Sequence, residues 1–186
     1  ENNGIVKRQE IDHIVKLISK ENRKKLWNMG IKLGRYHVFL PKMLKPKAVT
    51  LRIKLWRLFN QDTSKLVIPT FGLNFIIDEN FNKKFLLLCG FENFKDFYVR
   101  IDILEKLFIS ILEKTKNREF QVNSEMMNLL GCSKENFYKL MTFMNYKKLK
   151  DKDSYVFNGD NKKVKKIFKN KNMESPFNKL LSLNIK

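Results

Sequence analysis

Asn123 to Asn145 reads NSEMMNLLGCSKENFYKLMTFMN, and this stretch decides the fold class. Asn123 or Ser124 can cap a short helix that holds Met126, Met127, Leu129 and Leu130. Gly131 then allows the sharp exit of two helices joined by a tight turn. Ser133 is the next cap. Behind it Phe137, Leu140, Met141 and Met144 recur at i, i+3, i+4 and i+7, one face of a second helix. Two short helices around a glycine turn make a helix-turn-helix.

The flanking sequence extends the pattern. Upstream, FYVRI has extended character, and Ile101, Leu104, Leu107, Phe108, Ile111 and Leu112 mark a strong amphipathic helix. EFQV follows as a short strand. Downstream, DKDSYVFNGD gives a turn, a strand and a Gly-marked turn. Helix, strand, helix, turn, helix, strand is the order of a winged helix. The expected class is α+β, mostly helical, with a basic helical N-terminal part followed by a winged-helix-like part.

Further towards the N-terminus the spacing predicts a helix from Ile5 to Met29, a short strand in RYHVFL stopped by Pro41, and a helix from Lys47 to Phe59 with Pro46 in its first turn. On that helix Leu51, Leu55, Leu58 and Phe59 are the expected packing face, with Lys47, Lys54 and Arg57 on another. NQDTSKLVIPTFG reads as a linker. Phe75–Ile77 is ambiguous but strand-like, and Asn82 to Cys89 suits a short helix ended by Gly90. These readings divide the chain into a basic segment (1–60), a connecting segment (61–96), a winged-helix-like domain (97–160) and a Lys-rich tail (161–186).

Charge is the second strong signal. The 186 residues carry 38 Lys+Arg against 19 Asp+Glu, a net +19. A surplus of this size points to a polyanion. Composition supplies a blander source: 31 Lys, 7 Arg and one Ala are the choices of an AT-rich genome. Drift of that kind spreads lysine evenly, and here the spread is uneven. Residues 1–60 hold a net +11, residues 61–118 only +1. From Asn22 to Gln61 there are eleven basic residues and no acid. Arg23, Arg35, Arg52 and Arg57 survive there, and arginine offers a planar fork for phosphate.

The candidate nucleic-acid-binding set is therefore Arg23, Lys24, Lys25, Lys32, Arg35, Tyr36, Lys42, Lys45, Lys47, Arg52, Lys54 and Arg57. Tyr36, His37 or Trp56 are candidate stacking platforms. A secondary set, Lys139, Lys147 and Lys148, lies on and after the second helix of the helix-turn-helix. The outer side of that helix, with Glu135, Thr142 and Tyr146, is barely basic.

Catalytic chemistry does not assemble. His13 and His37 have no Cys or carboxylate at metal-ligand spacing. DENFNKKFLLLC opens like a calcium loop but has Lys83 where glycine is needed and Cys89 where the bidentate Glu belongs. There is no phosphate loop, no nucleophile elbow and no dinucleotide fingerprint. Asp102 and Glu105 flank an apolar helix face and read as a solvated edge. Cys89 and Cys132 read as reduced, buried thiols of a cytoplasmic protein. No apolar run spans a bilayer, and the first residues lack a secretory leader's apolar stretch. The chain opens on Glu1, as a piece of a longer protein would.

Four blocks carry a resemblance: LGRYHVFLPKMLKPKAVTLRIKLW, VRIDILEKL, MMNLLGCSKENFYKLMTFMNYKK and ESPFNKLLSL. In this order they resemble the region that follows the motor in alphaproteobacterial helicase-related proteins. Those are superfamily-two helicases akin to the mitochondrial degradosome RNA helicase. The resemblance covers most of the chain from about Trp27 onward. It implies an accessory region of an ATP-dependent RNA/DNA helicase, guiding a single strand through phosphate contacts. The motor domains, in cis, would bring ATP, Mg and hydrolysis. This chain lacks every motor motif and needs no cofactor of its own. RNA or DNA is the implied partner, with a nuclease as a further one and no membrane. The alternatives are a free-standing winged-helix DNA-binding protein or regulator, and a protein- or ribosome-docking scaffold.

Overall fold

The structure is a computed structural model, described here for residues 4–61, 66–77, 82–116, 118–149 and 153–157. The tail at 161–186, the middle of the expected linker (62–65) and the start of the calcium-like loop (78–81) lie outside the described residues. About 53% of the described residues are helical and 21% lie in strands, so the class is α+β, with three small antiparallel sheets.

The first sheet gathers β1 (Ile5–Lys7), β2 (Lys32–Leu33) and β3 (His37–Phe39) in the order β1-β3-β2. Its central strand is the one that RYHVFL predicts. The single helix expected from Ile5 to Met29 is instead β1 followed by α1 (Arg8–Leu17) and α2 (Lys20–Asn28). Two local causes split it. Ile5 to Lys7 are taken by pairing with β3, and the Ser19 hydroxyl accepts from the Asn22 N–H to start a new helix. Val15 is the one buried residue of α1, and α2 buries none.

A 3-10 turn (Pro41–Leu44) leads into α3 (Pro46–Asn60). Pro46 sits in its first turn, and Lys45 is extended as a residue before proline must be. The packing face differs from the expected one. Val49, Arg52 and Ile53 are buried, whereas Leu51, Leu55, Leu58 and Phe59 are 58–89% exposed. Both faces are apolar enough for periodicity to select either. The choice was made by what α3 meets: Val49 and Ile53 lock onto Phe85, Leu86, Phe91 and Tyr98.

The second sheet comprises β4 (Phe75–Ile77), β5 (Phe91–Phe94) and β6 (Phe97–Arg100), ordered β4-β6-β5. Before it, α4 (Lys83–Leu88) is capped by the Asn82 side chain, which accepts from the Lys84 and Phe85 N–H groups. Strand β6 divides the interior. Its alternation sends Phe97 and Val99 into one core and Tyr98 into the α3–α4 core. Ile101, just beyond, joins Ile5 and Phe39 under the first sheet.

The largest core lies under α5 (Ile101–Lys114), α6 (Ser124–Leu130) and α7 (Lys134–Phe143). Asn123 is the cap of α6, Gly131 leaves it at φ 69, and Ser133 caps α7. Phe137, Leu140, Met141 and Met144 are all buried as predicted. A third sheet closes this unit in the order β7-β9-β8, from β7 (Glu119–Gln121), β8 (Tyr146–Lys148) and β9 (Ser154–Phe157). Strand β8 was not expected. Tyr146, read as an exposed residue of α7, is a buried residue of that strand because Asn145 turns the chain with φ 64. Among the described residues, no helix is long and apolar enough to cross a membrane.

Candidate nucleic-acid interface

The predicted cations separate by type. Three of the four arginines are consumed by the fold. Arg23 donates to the Val15 and Ile18 carbonyls, 3.1 Å each, and so closes the end of α1. Arg52 is buried and donates to the Leu88 carbonyl at the end of α4; burial pushes its guanidinium below the ordinary range. Arg57 donates to the Leu66 carbonyl and lies 5.8 Å from the centre of the Phe85 ring. Arg52 and Arg57 therefore brace α3 from its packed side; Arg52 is buried and so is not a surface phosphate contact, and Arg57 is half-buried. The reason is geometric: they share a helix face with Val49, Ile53 and Trp56, which pack inward.

The lysines behave differently. Lys24, Lys25, Lys42, Lys45, Lys47 and Lys54 are exposed, and Lys32 is half-buried. Among the described residues none of these seven makes an ion pair. The secondary set is weaker. Lys139 is paired with Glu135 and Lys148 with Asp153, leaving Lys147 exposed and without a carboxylate among the described residues. Asp153 also takes Lys134, and the hydrogen bonds from Lys148, Lys134 and Tyr138 hold its carboxyl down at about 2.

The expected stacking platforms are interior residues. Tyr36 packs edge-on to Phe108 at 5.8 Å. Burial, reinforced by the nearby Tyr146 hydroxyl, raises its phenol. His37 is 2% exposed, and Trp56 is half-buried against Phe85. Solvent instead meets Trp27, Phe143 and Phe157, at 64%, 36% and 41% exposure.

Arg35 differs from the other three. It is exposed, as Arg23 is, but its guanidinium has no hydrogen-bond partner among the described residues and lies 5.6 Å from the centre of the Phe157 ring. It borders a cleft of about 610 Å³ between the first and third sheets, lined also by Lys7, Arg8, Phe94, Phe143, Asn145 and Phe157.

The wall behind Arg35 is wired by a residue misread as a solvated edge. Glu105, on α5, is 7% exposed. Its carboxylate accepts from the backbone N–H groups of Arg35 and Tyr36 at 2.7 Å each and of His37 at 2.9 Å. A side chain at Gly34 would bring its Cβ within 2.4–2.6 Å of that carboxylate, so glycine is required by close approach. His37 Nε2 lies 2.9 Å from Glu92 Oε2, and Lys7 Nζ bonds the other oxygen at 2.6 Å. Burial alone would raise the Glu92 carboxyl; the His37 and Lys7 hydrogen bonds outweigh it and hold it below the ordinary range. Arg8 closes the loop by donating to the Gly34 carbonyl at 2.8 Å. Asp102, the other carboxylate of the misread edge, is paired with Arg100. No spacing rule finds this cluster, since its members come from positions 7–8, 34–37, 92 and 105. Gly34 beside an aromatic, histidine-bearing strand was its one local trace.

This arrangement holds a loop in place. His37 is sealed by two carboxylates and the core. Burial pushes the Cys89 thiol up to about 12 and the Cys132 thiol up to about 11, so neither is a ready nucleophile. Among the described residues no group of three candidate ligands could hold a metal ion. Comparison with protein-family models, with curated proteins and with solved structures finds no match to this chain.

Proposed function

We propose that this chain is a non-catalytic nucleic-acid-binding module that holds a single strand by its phosphates, and that it serves a helicase motor lying in cis. The observation that carries the reading is the run from Asn22 to Gln61. It has no acid, and its exposed lysines have no ion partner among the described residues, while buried Arg52 and half-buried Arg57 secure the helix beneath them. A field of unneutralised cations on a braced scaffold suits a polyanion whose charges repeat along a chain. The order α5-β7-α6-α7-β8-β9, with the third sheet closing the helix pair, supports a winged-helix type for the second half. Its reading helix is nearly charge-balanced, which favours the lysine-bearing N-terminal part as the main contact. The helicase context rests on the four sequence blocks; cations alone do not distinguish it.

The test is a titration of single-stranded RNA, duplex RNA and duplex DNA across a salt series. Contact with about five phosphates of a single strand gives log K against log salt a slope of about −3.5. Reversing charge at Lys42, Lys45, Lys47 and Lys54 together flattens that slope and weakens binding. Reversing Lys134 and Lys139, both already paired with carboxylates, changes it little. Salt-independent binding, or equal effects from both sets, refutes the proposal.

A further inference from the structure

The cleft between the first and third sheets has more specific chemistry than the lysine surface. Its volume of about 610 Å³ falls within the ~300–1,000 Å³ of clefts that hold a small organic ligand. Its charged lining is Lys7, Arg8 and Arg35 against Asp12 and Glu92, a net +1 before His37 is counted. Both carboxylates are occupied: Glu92 by Lys7 and His37, Asp12 by Arg8 and Lys16. Among the described residues, that leaves Arg35 as the cation of this lining with no carboxylate partner. Beside it stand two part-exposed rings, Phe143 and Phe157. Asn145, at the turn between them in sequence, is exposed. A guanidinium that rests on an aromatic ring and pairs with no carboxylate among the described residues, with an amide in the same lining, matches a planar ring joined to one negative charge.

We propose that this cleft receives one unstacked nucleotide of the bound strand, with its base against Phe157 and Phe143 and its phosphate at Arg35. The proposal rests on the nucleic-acid reading above and adds a place where the strand is gripped by a base. The Glu105 carboxylate fixes the backbone of Arg35, so the guanidinium is presented from a rigid loop. Phosphate contacts elsewhere would position the strand, and this subsite would set its register.

The test uses the whole chain and a short single-stranded oligonucleotide carrying a fluorescent adenine analogue that brightens on unstacking. Binding to the wild type raises the emission. Phe157→Leu keeps an apolar side chain but removes the aromatic face; it abolishes the rise and weakens binding roughly 10-fold. Arg35→Gln does the same and lowers the salt slope by about 0.7. Charge reversal at Lys47 and Lys54 weakens binding yet leaves the rise intact at saturation. If the strand binds but the emission stays flat, or if Phe157→Leu matches the wild type, the subsite is refuted while the strand-binding function stands. If no strand binds but adenosine monophosphate binds saturably and is lost in Arg35→Gln, the nucleotide site stands and the strand reading fails. If neither probe binds, both are overturned.

Discussion

Removing the Glu105 carboxylate is the sharpest perturbation this fold offers. Three backbone N–H groups converge on it, two on Oε1 and one on Oε2. Glu105→Gln keeps the volume and one acceptor oxygen. That oxygen can retain Tyr36 and His37, but the amide nitrogen then faces the Arg35 N–H, donor against donor. Losing one charge-assisted bond and weakening two others costs about 2–3 kcal/mol. Glu105→Ala strands all three donors. The His37 N–H is fully buried, while those of Arg35 and Tyr36 are partly buried and can find water, so the cost is about 3–5 kcal/mol. Gly34→Ala supplies the internal check, because its new Cβ strikes the same carboxylate. In the wild type it disrupts the clamp and is costly. In a Glu105→Ala background the obstruction is gone, and the two penalties combine to less than their sum. Urea unfolding followed by circular dichroism measures all four proteins, with shifts in midpoint at unchanged m reporting stability. Asp102→Asn is the control, since Asp102 is only part-buried and pairs with its neighbour Arg100; it should cost no more than about 1 kcal/mol. Strict additivity of Gly34→Ala and Glu105→Ala, or a Glu105→Gln variant as stable as Asp102→Asn, refutes the clamp.

Other outcomes follow from the same geometry. Arg52→Met should lose about 1–3 kcal/mol, because the Leu88 carbonyl loses its donor. It should leave the salt slope of strand binding unchanged, and a flattened slope would return Arg52 to the surface. Leu58→Ser and Phe59→Ser, on the outward face of α3, should each fall within about 0.5 kcal/mol of the wild type, whereas Ile53→Ala costs about 2–5 kcal/mol. Equal costs would mean that α3 packs by its other face. Glu92 has a carboxyl below its ordinary value of 4.5 in the folded protein, so its stabilising contribution is complete above that pH and fades as pH falls through the folded value. Glu92→Gln should therefore flatten the loss of stability on acidification below pH 4.5; an unchanged acid limb contradicts the Lys7–Glu92–His37 arrangement.

Local chemistry made much of this molecule legible. Asn123, Gly131 and Ser133 act within a few residues of themselves, so the helix pair and its buried face follow from neighbours in sequence. Pro46 and Asn82 fix helix starts in the same way, and the acid-free run from Asn22 to Gln61 is visible without coordinates. Two kinds of information were not local. One is the choice between two apolar faces of α3: Leu51, Leu55 and Leu58 satisfy the helical period as well as Val49 and Ile53 do, and only contact with Phe85 and Tyr98 settled it. That choice also turned Arg52 and Arg57 inward. The other is pairing across long separations. Glu105 reaches Arg35 and His37 over about 70 positions, and Glu92, on β5 of the second sheet, joins Lys7 and His37, which face each other on β1 and β3 of the first. Sequence determined the capped helices and where charge gathers, because helical periods and caps act over a few bonds, whereas β1 and β8 formed by pairing with distant strands. Tertiary packing decided which charges remain at the surface and which become part of the frame, because a buried donor must bond to whatever acceptor the fold brings beside it.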